Sequence, residues 1–367
     1  MALVPPYIAA MEPYVAGLSI EEVRRRYGLD RVVKLASNEN PLGPSPRAME
    51  AARAALAGSH RYPDGGMALR EKLAQRFQMR LENVIAGAGS EGILADIVRA
   101  FLADDDEVLA SEATFPSMRV LAASRGVVYR TVPLQGATIN LDAIANAITP
   151  RTKLIYLPNP NNPTGTVFTI EEFDAFYKRV PERVLIILDE AYFEFARHDP
   201  RYPDSLRYRY DNAITLRTFS KIYGLAGLRI GYGFAHGDLI AMLLKVRLPF
   251  EPSSVASAAA IAALDDEDFV RRSLDNNARG MRQLTTALRS LGWDPWPSEA
   301  NFVTVPLGSP ARAQSLFEAL LQEGVIVRPL KSFGLPSAIR ITIGTPEENE
   351  ICVSALERIV KAELALA

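Results

Sequence analysis

The sequence predicts an α/β protein, with a mostly parallel, seven-stranded sheet covered on both faces by helices and a smaller α+β unit after it. Two observations carry this. From Pro46 onward, short apolar β-rich runs alternate with amphipathic helical stretches, the pattern of βα units. After Pro252 the order changes to two long helical patterns followed by three strands. The chain therefore divides into an N-terminal arm (1–45), a large unit (46–252) and a smaller C-terminal unit (253–367).

Each element has a local reason. Within the proline-rich arm, Ser19-Ile20-Glu21-Glu22 reads as a capping box and predicts a helix over 20–27. Asn38-Glu39-Asn40-Pro41-Leu42-Gly43-Pro44 holds too many turn formers for a helix or a central strand. Strands are predicted at 84–86, 107–110, 127–132, 153–157, 184–188, 213–217 and 229–234, with helical patterns between several of them, as at 91–102, 115–125 and 170–179. Beyond Pro252 come helices over 253–264 and 267–291 and strands at 301–305, 325–327 and 339–343. A last helix starts at Thr345-Pro346-Glu347-Glu348, a capping box with proline at the first helical position.

Composition narrows the function. The 367 residues are 48% hydrophobic and 23% charged, with a net charge of −2, which excludes a disordered chain and gives no electrostatic case for nucleic acid or a membrane surface as partner. A single cysteine, Cys352, excludes an internal disulfide framework, and His60, His198 and His236 have no metal-ligand spacing, so no metal is expected. The first basic residue is Arg24, unlike the charged start of a signal peptide, and the longest apolar runs are too short or too weak to span a bilayer. The expectation is a reduced, cytoplasmic enzyme.

The chemistry gathers at strand ends. Gly87-Ala88-Gly89-Ser90-Glu91-Gly92 follows a strand and opens a helix, with Glu112 about twenty residues on. Glycines there let backbone N–H groups close on an anion, so the turn reads as a phosphate site; a dinucleotide is the other reading of the same pattern. Thr218-Phe219-Ser220-Lys221 ends another strand, with Arg229 behind it. Two hydroxyls and an arginine suit a phosphate monoester, and a lysine among them can form a Schiff base with an aldehyde. Asp189 ends the apolar strand 184–188, where a carboxylate is costly without a cationic partner such as a protonated pyridine nitrogen. Asn162 lies just after the strand 153–157. Ligands of open α/β sheets bind outside the carboxyl ends of strands, so Asn162, Asp189, Lys221 and the glycine turn should converge on one crevice.

With these motifs the chain resembles the fold-type I pyridoxal-phosphate aminotransferases, and within them the histidinol-phosphate aminotransferases. The likeness runs from about Tyr14 to Glu348 and rests on Asn38-Glu39-Asn40-Pro41, Arg61-Tyr62-Pro63-Asp64, Gly89-Ser90-Glu91, Asn161-Asn162-Pro163-Thr164-Gly165, Asp189-Glu190-Ala191-Tyr192, Ser220-Lys221, Gly227-Leu228-Arg229 and the segment from Ile339 to Thr345. The resemblance implies pyridoxal 5'-phosphate held covalently by Lys221, which also moves the proton, with Asp189 on the pyridine nitrogen and Asn162 and Tyr192 on the ring oxygen. It implies that Gly89 and the backbone groups of Ser90 and Glu91, with Thr218, Ser220 and Arg229, bind the phosphate and that Phe115 stacks on the ring where the family often has tyrosine. It further implies that Tyr62 reaches a neighbouring subunit's cofactor, making a homodimer with a shared active site, and that Tyr14, Asn40, Arg328 and Arg340 bind substrate. The implied reaction is a ping-pong transamination between histidinol phosphate and 2-oxoglutarate. An aromatic amino-acid aminotransferase shares these motifs, and a non-catalytic module on the same fold would need none of Asn162, Asp189, Tyr192, Lys221 and Arg229.

Overall fold

The computed structural model describes residues 3–12, 17–207 and 210–366. The arm carries the helix Ile20–Tyr27 and a short strand β1 (Val33–Lys34). Ser19 accepts the Glu22 backbone N–H at 3.1 Å as the capping pattern predicts. The reciprocal form of the box appears at Thr169–Glu172 and again at the predicted Thr345–Glu348.

The large sheet is built from β2 (Val84–Gly87), β3 (Glu107–Ser111), β4 (Val128–Val132), β5 (Thr152–Pro158), β6 (Leu185–Asp189), β7 (Ala213–Thr218) and β8 (Gly231–Ala235), in the order β2-β8-β7-β6-β5-β3-β4. Pairing is parallel from β7 through β6, β5 and β3 to β4, and β8 runs antiparallel to both its neighbours. The seven strands are those predicted, with ends shifted by one or two residues. The helix read at 115–125 begins at Ser117, after Pro116, and that read at 170–179 ends at Tyr177.

Alternate side chains of the central strands enter opposite cores. Leu154, Tyr156, Leu185 and Ile187 pack on one face, and Ile155, Leu157, Ile186 and Leu188 on the other. That two-sided burial is why these runs are continuously apolar rather than alternating. The helix Ser254–Leu264 lies in the same core as β2 and β8, against the helix Pro46–Leu56. Its Ala256, Ala259, Ala260 and Ala263 face the small residues Ala48 and Ala52, so the two backbones approach closely.

The C-terminal sheet contains β9 (Phe302–Pro306), β11 (Arg328–Pro329) and β12 (Ala338–Thr342), all antiparallel. One expectation is corrected here. The run 325–327 is not a single strand: β10 (Val325–Ile326) pairs in parallel with β1 of the arm, and Arg328 already belongs to β11 in the other sheet. The arm takes the first two residues because Val33 and Leu35 bury their side chains in the same core as Val325 and Val327.

Candidate active site

The site forms where β5, β6 and β7 end and the helix Gly89–Phe101 begins. Ser90, Glu91, Phe115, Asn162, Asp189, Tyr192, Thr218, Ser220, Lys221 and Arg229 line one cavity of about 190 Å³. Two larger cavities, of about 520 and 400 Å³, lie elsewhere among the described residues. The convergence of titratable groups, not volume, selects this one.

Its anion-binding wall is made by backbone and hydroxyls. Gly89 has φ +77° and starts the helix, so the first N–H groups, which have no partner within the helix, face the cavity. A Cβ on Gly231 of β8 would stand 2.3 Å from the Ser90 nitrogen, so only glycine lets that strand pass the turn. Thr218 Oγ1 donates to Ser220 Oγ at 3.0 Å and accepts the Ser220 N–H at 3.1 Å. Arg229 Nη1 donates to Ser220 Oγ at 3.3 Å, from a backbone held in the left-handed region at φ 49°. Asn38 and Ala113, next to the site, share that costly conformation at φ 55° and 48°. Glu91, which accepts a 2.5 Å hydrogen bond from Ser117, places its other oxygen 3.7 Å from Arg229.

Asp189 is buried at the end of β6. Its Oδ2 accepts a hydrogen bond from Tyr156 at 2.7 Å, and its Oδ1 is buried with no hydrogen-bond partner. Burial raises the Asp189 carboxyl above its usual range, against the pull of the Tyr156 hydroxyl, the Ala191 N–H and Lys221. An orphaned carboxylate oxygen facing a cavity calls for a cationic N–H donor.

Lys221 follows β7. Its Nζ donates to the Ser37 carbonyl at 3.4 Å and lies 5.7 Å from the centre of the Tyr192 ring. Burial, helped by the positive charges of Arg340 and Arg229 and opposed by Glu39 and Asp189, pulls the amine down to about 8. A lysine tuned in this way has roughly a tenth of its amine in the nucleophilic free form at pH 7, against less than about a thousandth for an ordinary lysine. Tyr192, stacked edge-on to Phe302, accepts a hydrogen bond from Asn38 Nδ2 at 2.8 Å, and burial pushes its hydroxyl up to about 12.

Arg340 rises from β12 into the same space. It donates to Asn162 Oδ1 and to the Ala36 carbonyl, the latter at 2.8 Å, and lies over the rings of Phe302 and Phe333. Arg328 stands directly opposite it in the β11–β12 register and also lies over Phe333. Phe115 packs against the Leu330–Phe333 cluster at the cavity wall.

Two of the described sequence-selected residues are engaged away from this cavity. Tyr62 is 81% exposed and stacks on Phe250. The Asn40 amide is taken up structurally, donating to the Ile222 carbonyl at 2.8 Å and to Ser273 at 3.0 Å. Tyr14 lies outside the described residues. Conversely, sequence reasoning missed Tyr156 and assigned Asn38 no role of its own. Tyr156 hides in an apolar strand, and its one signal is a hydroxyl-bearing residue on the strand beside Asp189.

A lysine, a buried aspartate and an anion cradle at the strand ends of a doubly covered parallel sheet define a protein that binds a phosphorylated aldehyde cofactor for amine chemistry. The comparisons agree with this class. The family model for aminotransferase class I and II matches residues 30–356, and the chain belongs to that family. It is 44% identical over 357 residues to histidinol-phosphate aminotransferase 1 of Nitrosococcus oceani, covering 96% of each chain. It is 46% identical to a histidinol-phosphate aminotransferase of an Anaeromyxobacter species, over 99% of this chain and 100% of that protein. The crystal structure of histidinol-phosphate aminotransferase from Sinorhizobium meliloti, solved with pyridoxal-5'-phosphate, superposes with a TM-score of 0.89 at 30% identity, covering 99% of this chain and 98% of that one.

Proposed function

We propose that the protein is a pyridoxal 5'-phosphate-dependent aminotransferase acting on histidinol phosphate and 2-oxoglutarate. The observation that carries the reading is the opposition across one cavity of the Lys221 amine, the unpartnered Asp189 Oδ1 and the Thr218–Ser220–Arg229 cradle. These donors fit an aldehyde, a pyridine N–H and a phosphate monoester respectively. When bound, the cofactor supplies an electron sink for breaking the bond to the substrate α-hydrogen.

The chain's residues divide the remaining work. Lys221 Nζ first holds the cofactor and then, once released, carries the proton between the two carbons of the reacting system. Asp189 Oδ1 accepts the pyridine N–H. Asn162 and Tyr192 orient the ring oxygen, and Phe115 offers a stacking face. The backbone N–H groups of Ser90 and Glu91, with Thr218, Ser220 and Arg229, fix the phosphate, and Gly89 shapes the turn.

Arg340, buried and aimed at Asn162, and Arg328 opposite it form a cationic pair for the acidic ends of both substrates. A phosphate at one and a carboxylate at the other fits the exchange of donor and acceptor in turn. Tyr14 and Asn40 complete the substrate side, Asn40 through the Ile222 carbonyl that it holds beside Lys221. Tyr62, exposed together with Phe250 and Leu248, supports a homodimer in which it enters the partner's site. In this organisation the helix Ser254–Leu264 docks the C-terminal unit (253–367) onto the large one (46–252), and the arm (1–45) joins through β1.

Single half-reactions test the substrate. The cofactor-loaded enzyme is mixed separately with histidinol phosphate, phenylalanine, tyrosine and glutamate, and the visible absorption of the lysine-bound cofactor is followed. Fast loss with histidinol phosphate and glutamate, and slow loss with the aromatics, is the expected result. Rapid conversion by phenylalanine or tyrosine with histidinol phosphate inert makes the enzyme an aromatic transaminase.

A further inference from the structure

Tyr156 is a fully buried side chain that no step above requires. It sits in the middle of β5, in the apolar layer with Leu154, Ile187 and Leu216. Its partner across the parallel ladder is Ile187, two residues before Asp189 on the same face of β6. That diagonal lets a long aromatic side chain reach the carboxylate, and the phenol oxygen lies 2.7 Å from Asp189 Oδ2. The layer is mostly aliphatic, and the Tyr156 hydroxyl spends its proton on that one carboxylate.

The geometry of the two oxygens is complementary. Oδ2 is satisfied by Tyr156 from the apolar layer, and Oδ1 has no hydrogen-bond partner on a residue that lines the cavity. Without the hydroxyl both oxygens compete for the same incoming donor, and the carboxylate can rotate. The donor also stabilises the ionised form against a desolvation that otherwise favours the neutral acid. A neutral Asp189 presents an O–H to a pyridine nitrogen and leaves it unprotonated.

We propose that Tyr156 is a positioning residue that fixes Asp189 as an ionised, singly available acceptor for the cofactor's ring nitrogen, acting through the carboxylate and touching neither cofactor nor substrate. This rests on the pyridoxal-phosphate reading of the site.

The test loads wild type and Tyr156→Phe with pyridoxal 5'-phosphate labelled with ¹⁵N in the ring. Two quantities are measured: the ring-nitrogen chemical shift and the cofactor dissociation constant. The expected result is a shift moved toward the unprotonated value in Tyr156→Phe and binding weakened on the order of tenfold, as for loss of a charge-assisted hydrogen bond. In an Asp189→Asn background the same Tyr156→Phe change should alter affinity less than about twofold, because the phenol then has no carboxylate to act on. An equal effect in both backgrounds, or a ring-nitrogen signal identical to wild type, overturns the proposal and leaves Tyr156 a packing residue. Should Tyr156→Phe not fold, 3-fluorotyrosine at position 156 replaces it. Its stronger O–H donor should move the signal further toward the protonated value, and an unmoved signal refutes the assignment. Failure of wild type to take up the cofactor at all is a different result, which sinks the reading of the site rather than the role of Tyr156.

Discussion

Gly231→Ala offers the sharpest test of how the anion cradle is built. The added Cβ would lie 2.3 Å from the Ser90 nitrogen, 2.6 Å from the Gly89 carbonyl carbon and 3.0 Å from the Gly89 Cα. All three are backbone atoms, so no side chain can swing aside. Restoring ordinary contact at 3.4 Å means parting β8 from the 89–91 turn by about 1 Å. β8 is held on both sides, by β2 and β7, so the turn must give way. Overpacking of this kind costs about 1–3 kcal/mol, a few degrees at most in the melting midpoint of a chain this long. The functional effect should be larger, because a shift of about 1 Å misaims N–H groups whose value lies in their placement. Phosphate or cofactor affinity, measured by calorimetry beside thermal unfolding, should fall at least tenfold, the effect of losing about one well-aimed hydrogen bond to a charged group. Gly227→Ala is the matched control, since its added Cβ meets nothing within 4 Å. A Gly231→Ala protein that melts and binds cofactor like the Gly227→Ala control refutes the reasoning.

Other consequences are open to direct measurement. With the Lys221 amine pulled down to about 8, capture of added pyridoxal 5'-phosphate by the cofactor-free enzyme should speed up about tenfold per pH unit below that value and level off above it. Stopped-flow traces that keep climbing at the same slope beyond about pH 9 would mean an unperturbed lysine. Arg217 is buried against Glu190 at 2.8 Å and Asp204 at 2.9 Å, over the ring of Phe193, so Arg217→Met removes the cation that balances the buried Glu190 carboxylate and should cost about 3–5 kcal/mol in denaturant unfolding. A loss under about 1 kcal/mol would show that the cluster relaxes by protonating its acids, toward which burial already drives Glu190.

What was legible in the sequence was what has a local cause. The apolar runs of β5 and β6 announce strands buried on both faces, and polar residues at their ends announce the site, because a carboxylate or lysine there needs a reason. The direction of β8 had no such mark: GYGFA reads the same whichever way it pairs. The split of 325–327 between two sheets was equally hidden, since β1 lies about 290 residues away and offers only two paired residues. Tyr156 was lost for a related reason, its one polar atom being submerged in a strand that any hydropathy reading calls core. Asn40 shows the converse. Its motif marks it as a substrate residue, and the hydrogen bonds of its amide to Ile222 and Ser273, through which it would act, are not revealed by a linear motif.

The arm segment that follows β1 has a bearing on when the enzyme becomes competent. The Ala36 carbonyl accepts from Arg340, the Ser37 carbonyl from Lys221, and Asn38 exchanges hydrogen bonds with Thr342 while donating to Tyr192. Contacts spanning 304 residues close the site. On the ribosome, a chain synthesised through β8 already holds the lysine, the aspartate and the phosphate cradle, while the arm's pairing with β10 and its hydrogen bonds to Arg340 and Thr342 wait for the C-terminal strands to emerge. The cofactor pocket therefore precedes the substrate pocket in the life of each molecule, and a protein truncated before β12 should at most store cofactor without turning over substrate.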